Sequence, residues 1–373
     1  MMKKILSVLL SVVILSGCIC FASAEDGSTA TGTLNVVSFN VDGLPVPSFL
    51  SSTGRNPLKA TRILAQQLNA ADCDILCAQE DFNFHNTLKN NLDMDYATLT
   101  SGGAGIGDGL NIFSRYPIYN VKRVAWDSAY GIFDCGSDEL TPKGILYCTV
   151  EIEDGVFVDV YTLHADAWED DRSMIAKSEQ FDQLIKLIET LSGNDRAVLL
   201  TGDFNTNYSV FREGYKNGNY NVDLCQKLMD NFIGHGFKDA WIEYNNDGNY
   251  DFTYNEMYQR YGCQYPRVWD TLDHVYYRDG AGVSLELVSA VYDDFDTDEV
   301  TWDGHVSDHS AVRTTFKYTV DREKTSAPSE LETETFDLWK TFVNSAANIA
   351  VLIIKALVNL PDLINGGEIG WIK

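Results

Sequence analysis

The chain has 373 residues, of which 45% are hydrophobic and 22% charged, and its formal net charge is −26. This composition supports a packed core and excludes global disorder. The acidity counts against a generic basic surface for nucleic acid, although a cation held in a cleft reverses the local field.

Residues 1–24 read as an export signal. Lys3 and Lys4 precede an apolar run over 5–15, and Ala22-Ser23-Ala24 forms an A-x-A cleavage site. The run is too short to span a bilayer. Cleavage removes two Lys and no acid, taking the charge from −26 to −28. Free secretion is the expectation. Leu15-Ser16-Gly17-Cys18 also fits a lipoprotein processing box, so the alternative is a lipid anchor at the cell surface through Cys18. Six cysteines remain after cleavage: Cys73, Cys77, Cys135, Cys148, Cys225 and Cys263. An even number in an exported chain permits disulfides. Cys135 and Cys148 flank an expected hairpin and form the favoured pair, whereas Cys77 reads as a buried thiol. No C-x-x-C pair occurs, which argues against zinc.

Short apolar runs then alternate with helical periodicity. Strands are expected over 34–40, 74–79, 110–114, 156–164, 197–202, 273–277, 285–290 and 311–318. Asn56-Pro57 opens an amphipathic helix through Leu68, and 172–191 reads as a second helix with Phe181, Leu184, Ile185 and Ile188 inward. Strands separated by helices indicate an α/β protein. Residues 320–334 are rich in Lys, Ser, Pro and Glu and read as a linker. Residues 335–360 form a mostly apolar helical pattern. Its narrow polar stripe holds Asp337, Thr341, Asn344, Asn348, Lys355 and Asn359.

The chemistry collects at strand ends. Asn40, Glu80, His164, and Asp203 with Asn205 each close or follow a strand, Asp273 opens one, and Asp308 and His309 precede the last. Six such positions facing a core without partners would be costly, so one shared site explains them together. Glu80 and Asn40 offer oxygen ligands, which suit Mg²⁺ or Ca²⁺ rather than zinc. Of Asp203 and Asn205, one can hold or activate water while the other grips a phosphoryl oxygen. Asp308 beside His309, with Asp273 to orient the imidazole, is what a general base needs. His85, His235, His274 and His305 are assigned no role. Lys143 reads as a solvated hairpin lysine in preference to a phosphate contact. The acids near 293–299 read as a solvated loop, since they lack the spacing of a calcium loop.

Taken in order, Val37-Ser38-Phe39-Asn40, Ala78-Gln79-Glu80, Tyr161-Thr162-Leu163-His164, Thr201-Gly202-Asp203-Phe204-Asn205, Leu272-Asp273-His274 and Ser307-Asp308-His309 resemble the motifs of the endonuclease/exonuclease/phosphatase superfamily. The likeness covers about residues 33 to 319. It implies a four-layered α/β sandwich with two central mixed sheets flanked by helices, to which this chain adds its C-terminal apolar helix. It also implies a catalytic unit over 25–319, followed by the linker 320–334 and the tail 335–373. By resemblance, Glu80 and Asn40 hold a divalent metal (Mg²⁺, or Mn²⁺ or Ca²⁺). His309, polarised by Asp273, activates water for in-line attack on phosphorus, and His164 stabilises the phosphorane. Asp203 and Asn205 position water and phosphate, and the family leaves the base open between a carboxylate and a histidine.

Members of the superfamily act on nucleic acids, inositol phosphates and phospholipids. Export, the acidic charge and the likeness of 38–45 and 164–167 to secreted bacterial sphingomyelinase-like members favour a phospholipid at a membrane surface. An extracellular magnesium-dependent nuclease is the alternative, and a non-catalytic binding protein of this fold is the second. The tail is expected to pack its apolar face on the catalytic domain, to self-associate, or to lie in a membrane interface with Trp339 and Trp371 as anchors. Its polar residues argue against a true span.

Overall fold

A computed structural model describes residues 29–45, 56–131, 138–168 (140 excepted), 170–206, 230–250, 272–299 (296 and 298 excepted) and 305–364. The expected export signal, Cys18, Cys135, Cys225, Cys263 and Trp371 lie outside them.

Two six-stranded sheets form the centre. The first runs in the order β11 (Val283–Asp293), β12 (Ala311–Asp321), β1 (Thr29–Asn40), β2 (Ile75–Gln79), β4 (Asn111–Ser114), β3 (Tyr96–Ala97). The second runs β5 (Ile118–Ala125), β6 (Gly144–Glu153), β7 (Val156–His164), β8 (Ala197–Asp203), β10 (Asp273–Arg278), β9 (Lys238–Asp239). Their facing surfaces close a core in which Val36, Ile75 and Ile112 meet Val158, Val160, Leu199 and Val275. A strand covered on both faces needs no alternation, and β7 and β8 are buried at every residue.

Helices cover the outer faces. Helix α1 (Pro57–Ala70) is capped by Asn56, whose side chain accepts from the Lys59 N–H. It seats Leu64, Ala65 and Leu68 on Val37, Phe39 and Leu76, with the short α2 (His85–Lys89) beside it. Helix α3 (Asp171–Leu191), capped by Asp170, sets Phe181, Leu184, Ile185 and Ile188 on Tyr161, Leu200 and Tyr276, next to α4 (Ala240–Asn245). The layers are therefore helix, sheet, sheet, helix, as the sequence implied.

Three expectations change. Cys148 is a free, fully buried thiol in mid-β6, inside the inter-sheet core with Cys77, so it is not the anchor of a disulfide at a hairpin. Lys143 precedes β6, and its side chain is only 10% exposed because it pairs with Asp138. The third concerns the tail helix α5 (Leu338–Ile364), which turns its polar stripe toward the domain. Asn348 donates to the Ile106 carbonyl and Lys355 to the Glu139 carbonyl, while Trp339 stays 73% exposed and Phe342 62%. Among its described apolar side chains, Leu352 lies by Gly105 and lines a cavity with the domain, while Leu338, Ile353 and Ile354 stay more than half exposed. Among the described residues, no helix is long and apolar enough to cross a membrane.

Candidate active site

Strand direction explains why the polar residues converge. β1 pairs parallel with β2, and β7 with β8, so the C-terminal ends of all four open at one edge. β10 runs antiparallel to β8 and β12 antiparallel to β1, so the starts of β10 and β12 meet that same edge. Asp203 lies opposite both His164 and Asp273 in register.

Asp203 is the hub. Its Oδ2 accepts from Asn40 Nδ2 at 3.1 Å and stands 3.3 Å from His164 Nε2 and 3.7 Å from His309 Nε2. Its Oδ1 accepts from the Asn205 N–H at 2.9 Å. Burial alone would raise the Asp203 carboxyl, but His309, His164, Lys143 and Asn40 outweigh it and hold the group below the usual carboxylate range, hence ionised. Asn40 Nδ2 also donates to Glu80 Oε1 at 3.0 Å, bridging the two carboxylates.

His309 Nδ1 stands 2.6 Å from Asp273 Oδ2, which leaves Nε2 directed into the site. Burial disfavours the charged imidazole, yet Asp273, Asp203 and Asp308 together hold its proton well above the ordinary histidine range. His164 is the opposite case: burial and Lys143 push it down to about 3, so it is neutral. Its carbonyl accepts from Trp126 Nε1 at 2.7 Å, which fixes the end of β7. Asn205 Nδ2 donates to the Ala165 carbonyl at 3.1 Å, so this side chain ties the loops after β7 and β8 together. Asp308 is exposed and reaches Glu80 and His309 through its charge.

Local backbone explains the motifs. Glu80 adopts φ 55°, a left-handed conformation uncommon for a non-glycine residue. Its carbonyl, which accepts from the Gly43 and Phe82 N–H groups, anchors it. A Cβ at Gly43 would come within 2.3 Å of that carbonyl, so the Asn40-to-Gly43 turn requires glycine. Gly202, at φ 146°, likewise leaves only 2.4 Å between a built Cβ and the Leu163 carbonyl, which lets β8 approach β7 beneath His164 and Asp203.

Several contributors were given no role at the site by the sequence. Gln79 Nε2 donates to Thr162 Oγ1 at 2.8 Å, joining the two sheets beneath the site. Ser307 Oγ donates to the Asn40 carbonyl at 2.6 Å and accepts from the His309 N–H at 3.1 Å, so it spaces those two residues. Lys143 acts by its charge on Glu80 and Asp203, and only the run before β6 pointed to it. The histidines given no role among the described residues include two buried pairs, His85 with Asp81 and His274 with Asp239, each at 2.7 Å. Asp293 pairs with Arg313, and Asp294 accepts from Ser310, as suits a structural loop.

The donor set fits a hard cation. Ligand atoms of Asp203, Asp273 and His309 lie within 4.8 Å of one another. Buried Asp273 Oδ1 has no hydrogen-bond partner. Burial, then the Asp308 charge, raises the Glu80 carboxyl, so a cation beside it would favour its ionised form. The Asn40 nitrogen occupies the place between Glu80 and Asp203 where a cation's charge would serve the same purpose.

The chain is similar to known proteins in sequence and in fold. Sphingomyelinases of Mycobacterium bovis and Mycobacterium tuberculosis are 28% identical over 277 residues, covering 72% of this chain and 50% of theirs. The chain thus spans about half the length of these curated relatives. The crystal structure of D. rerio TDP2 complexed with a single-strand DNA product matches with a TM-score of 0.51 at 15% identity, covering 76% of this chain and 99% of that one. An endonuclease/exonuclease/phosphatase family protein from Bacteroides thetaiotaomicron matches with a TM-score of 0.50 at 16% identity, covering 81% and 100%. At such identities these structures speak for the fold alone. The family model for endonucleases, exonucleases and phosphatases aligns with residues 37–309, a span that begins in β1 and ends on the histidine paired with Asp273. With that span, that fold and that convergence of strand ends, the chain belongs to the endonuclease/exonuclease/phosphatase family.

Proposed function

We propose that the protein is a divalent-metal-dependent phosphodiesterase that hydrolyses a phospholipid head-group ester outside the cytoplasm. The observation that carries the reading is the His309–Asp273 pair at 2.6 Å, aimed at the Asp203 hub in a mouth shared by both sheets. Asp273 fixes the tautomer of His309, whose Nε2 takes the proton from a water molecule as its oxygen attacks phosphorus in line with the departing ester oxygen. Neutral His164 turns Nε2–H toward the same space and donates to the phosphoryl oxygens as charge builds on them. Asp203 orients the water and Asn205 the phosphate. Asp308 adds negative charge at the rim. Lys143 supplies a fixed positive charge within the field of Glu80 and Asp203. A magnesium, manganese or calcium ion held by Glu80 and Asn40 would supply the further positive charge that the transition state requires.

The catalytic unit is residues 25–319, followed by the linker and tail, and residues 1–24 direct export. The lipid class is supported by the sphingomyelinase relatives and by an acidity that repels nucleic-acid backbones. Assay of the purified protein on sphingomyelin, phosphatidylcholine, inositol phosphates and DNA, with Mg²⁺ and with chelator, decides it. The expected result is chelator-sensitive cleavage of a choline phospholipid. Cleavage of DNA alone would replace this reading with the nuclease one.

A further inference from the structure

We propose that α5 is a lipid-docking element whose outward apolar face beds into a zwitterionic phospholipid surface and sets the mouth of the site against it. This rests on the phospholipid reading above. The first observation is the inverted polarity of the helix. Thr341, Asn344, Asn348 and Lys355 share one face, and that face holds the hydrogen bonds of Asn348 and Lys355 to the domain. The other face presents Leu338, Trp339, Phe342, Ile353 and Ile354, each more than half exposed. An exposed apolar patch of this size requires a partner, and helix packing against the sandwich does not supply one.

The second observation is where the helix sits. Asn348 grips the carbonyl of Ile106 and Lys355 that of Glu139, next to Asp138, the partner of Lys143. A cavity of about 190 Å³ is lined jointly by Leu352 and Lys355 of the helix and by Trp126 and Lys143 of the domain. The helix therefore lies beside the loops that hold Lys143 and Trp126, the indole that fixes the end of β7, with its apolar face turned outward. A bilayer seated there delivers the substrate.

Charge selects the kind of surface. The chain carries −26, so an anionic bilayer repels it, and binding must come from apolar burial into a surface without net charge. Trp339 is the aromatic type that settles at the head-group level, and Phe342 suits the apolar face of an interfacial helix.

The test compares the full chain with the full-length variant W339E/F342E/I353E, which alters only exposed side chains. Flotation with phosphatidylcholine–sphingomyelin vesicles is measured at low and high salt, with sedimentation to read oligomeric state. Hydrolysis of a water-soluble choline phosphodiester serves as the fold control. The expected result is vesicle binding by the wild type that is insensitive to salt. In the variant, binding and vesicle hydrolysis fall by at least about tenfold while soluble turnover stays within about twofold. Equal vesicle binding by both proteins overturns the proposal. A salt-stable wild-type dimer that the variant breaks, without wild-type vesicle binding, also overturns it and assigns the face to a second copy. Helix-dependent binding without cleavage of any choline lipid keeps the docking element and removes the substrate reading instead.

Discussion

The mouth of the sandwich and helix α5 break the same rule in opposite directions. At the mouth, Asn40, Asp203 and Asp273 are buried within an apolar body. Along α5, large apolar side chains are exposed around a polar contact. Most positions in the molecule obey the ordinary partition. Helix α3 is the control, with its apolar face on the second sheet and its charged face in water. The comparison teaches that the informative positions are the buried polar cluster and the exposed apolar patch, because each has a free-energy cost that folding alone does not return.

The largest expected effect tests the buried cluster. His309→Ala should lower turnover on the order of 10²–10⁴-fold while leaving the melting temperature near that of the wild type. A variant that retained near wild-type kcat would remove His309 from the role of base. Glu80→Gln takes one negative charge from the cluster and should weaken Mg²⁺ binding by at least about tenfold, read by calorimetry. Unchanged cation affinity would show that the cation is held without this carboxylate.

Stability separates the two helices. Phe181→Ala, in the core under α3, should cost about 3–5 kcal/mol in denaturant unfolding. Phe342→Ala on α5 should change stability by no more than about 0.5 kcal/mol. A large loss at Phe342 would mean that the exposed face is packed in solution.

The smallest and most specific effect is on pH. Asp273 and its neighbours hold the proton on His309 above the ordinary histidine range, and the ring must lose that proton to act as a base. Activity should therefore rise with pH through a limb displaced to the alkaline side. In Asp273→Asn the limb should move to lower pH, because the neutral amide no longer favours the imidazolium. A limb that stays in place would detach the pH profile from this pair.

Much of the site was legible because the chain places one polar residue at the end of each buried apolar run. Asn40, Glu80, His164 and Asp203 follow four strands whose parallel pairing puts them at one edge. What escaped was the support. Gln79 and Ser307 act across 83 and 267 residues, distances that no local pattern reports. β5 is half-exposed along its length at the edge of its sheet, so its apolar signal is diluted. β6 is buried at eight of its ten residues, and the loop reading of its start hid both the strand and the burial of Lys143. For α5, periodicity identifies which residues share a face. It does not say which face turns inward, and here Asn348 and Lys355 found backbone carbonyls on the domain while most of the described apolar residues stayed exposed.

The seat of β12 has a consequence for how the protein comes into being. This strand, the last described strand of the sandwich in chain order, lies between β11 and β1, and its pairing with β1 joins Thr29 to Asp321. The first sheet therefore cannot close during elongation, when domains otherwise fold from the N-terminus. Until β12 seats, Ser307 has not clasped the Asn40 carbonyl and His309 has no fixed place beside Asp273. Pairings this remote along the chain form slowly. A chain in which β12 is missing or not yet seated consequently has no assembled site, and the site is completed in one step with the final strand.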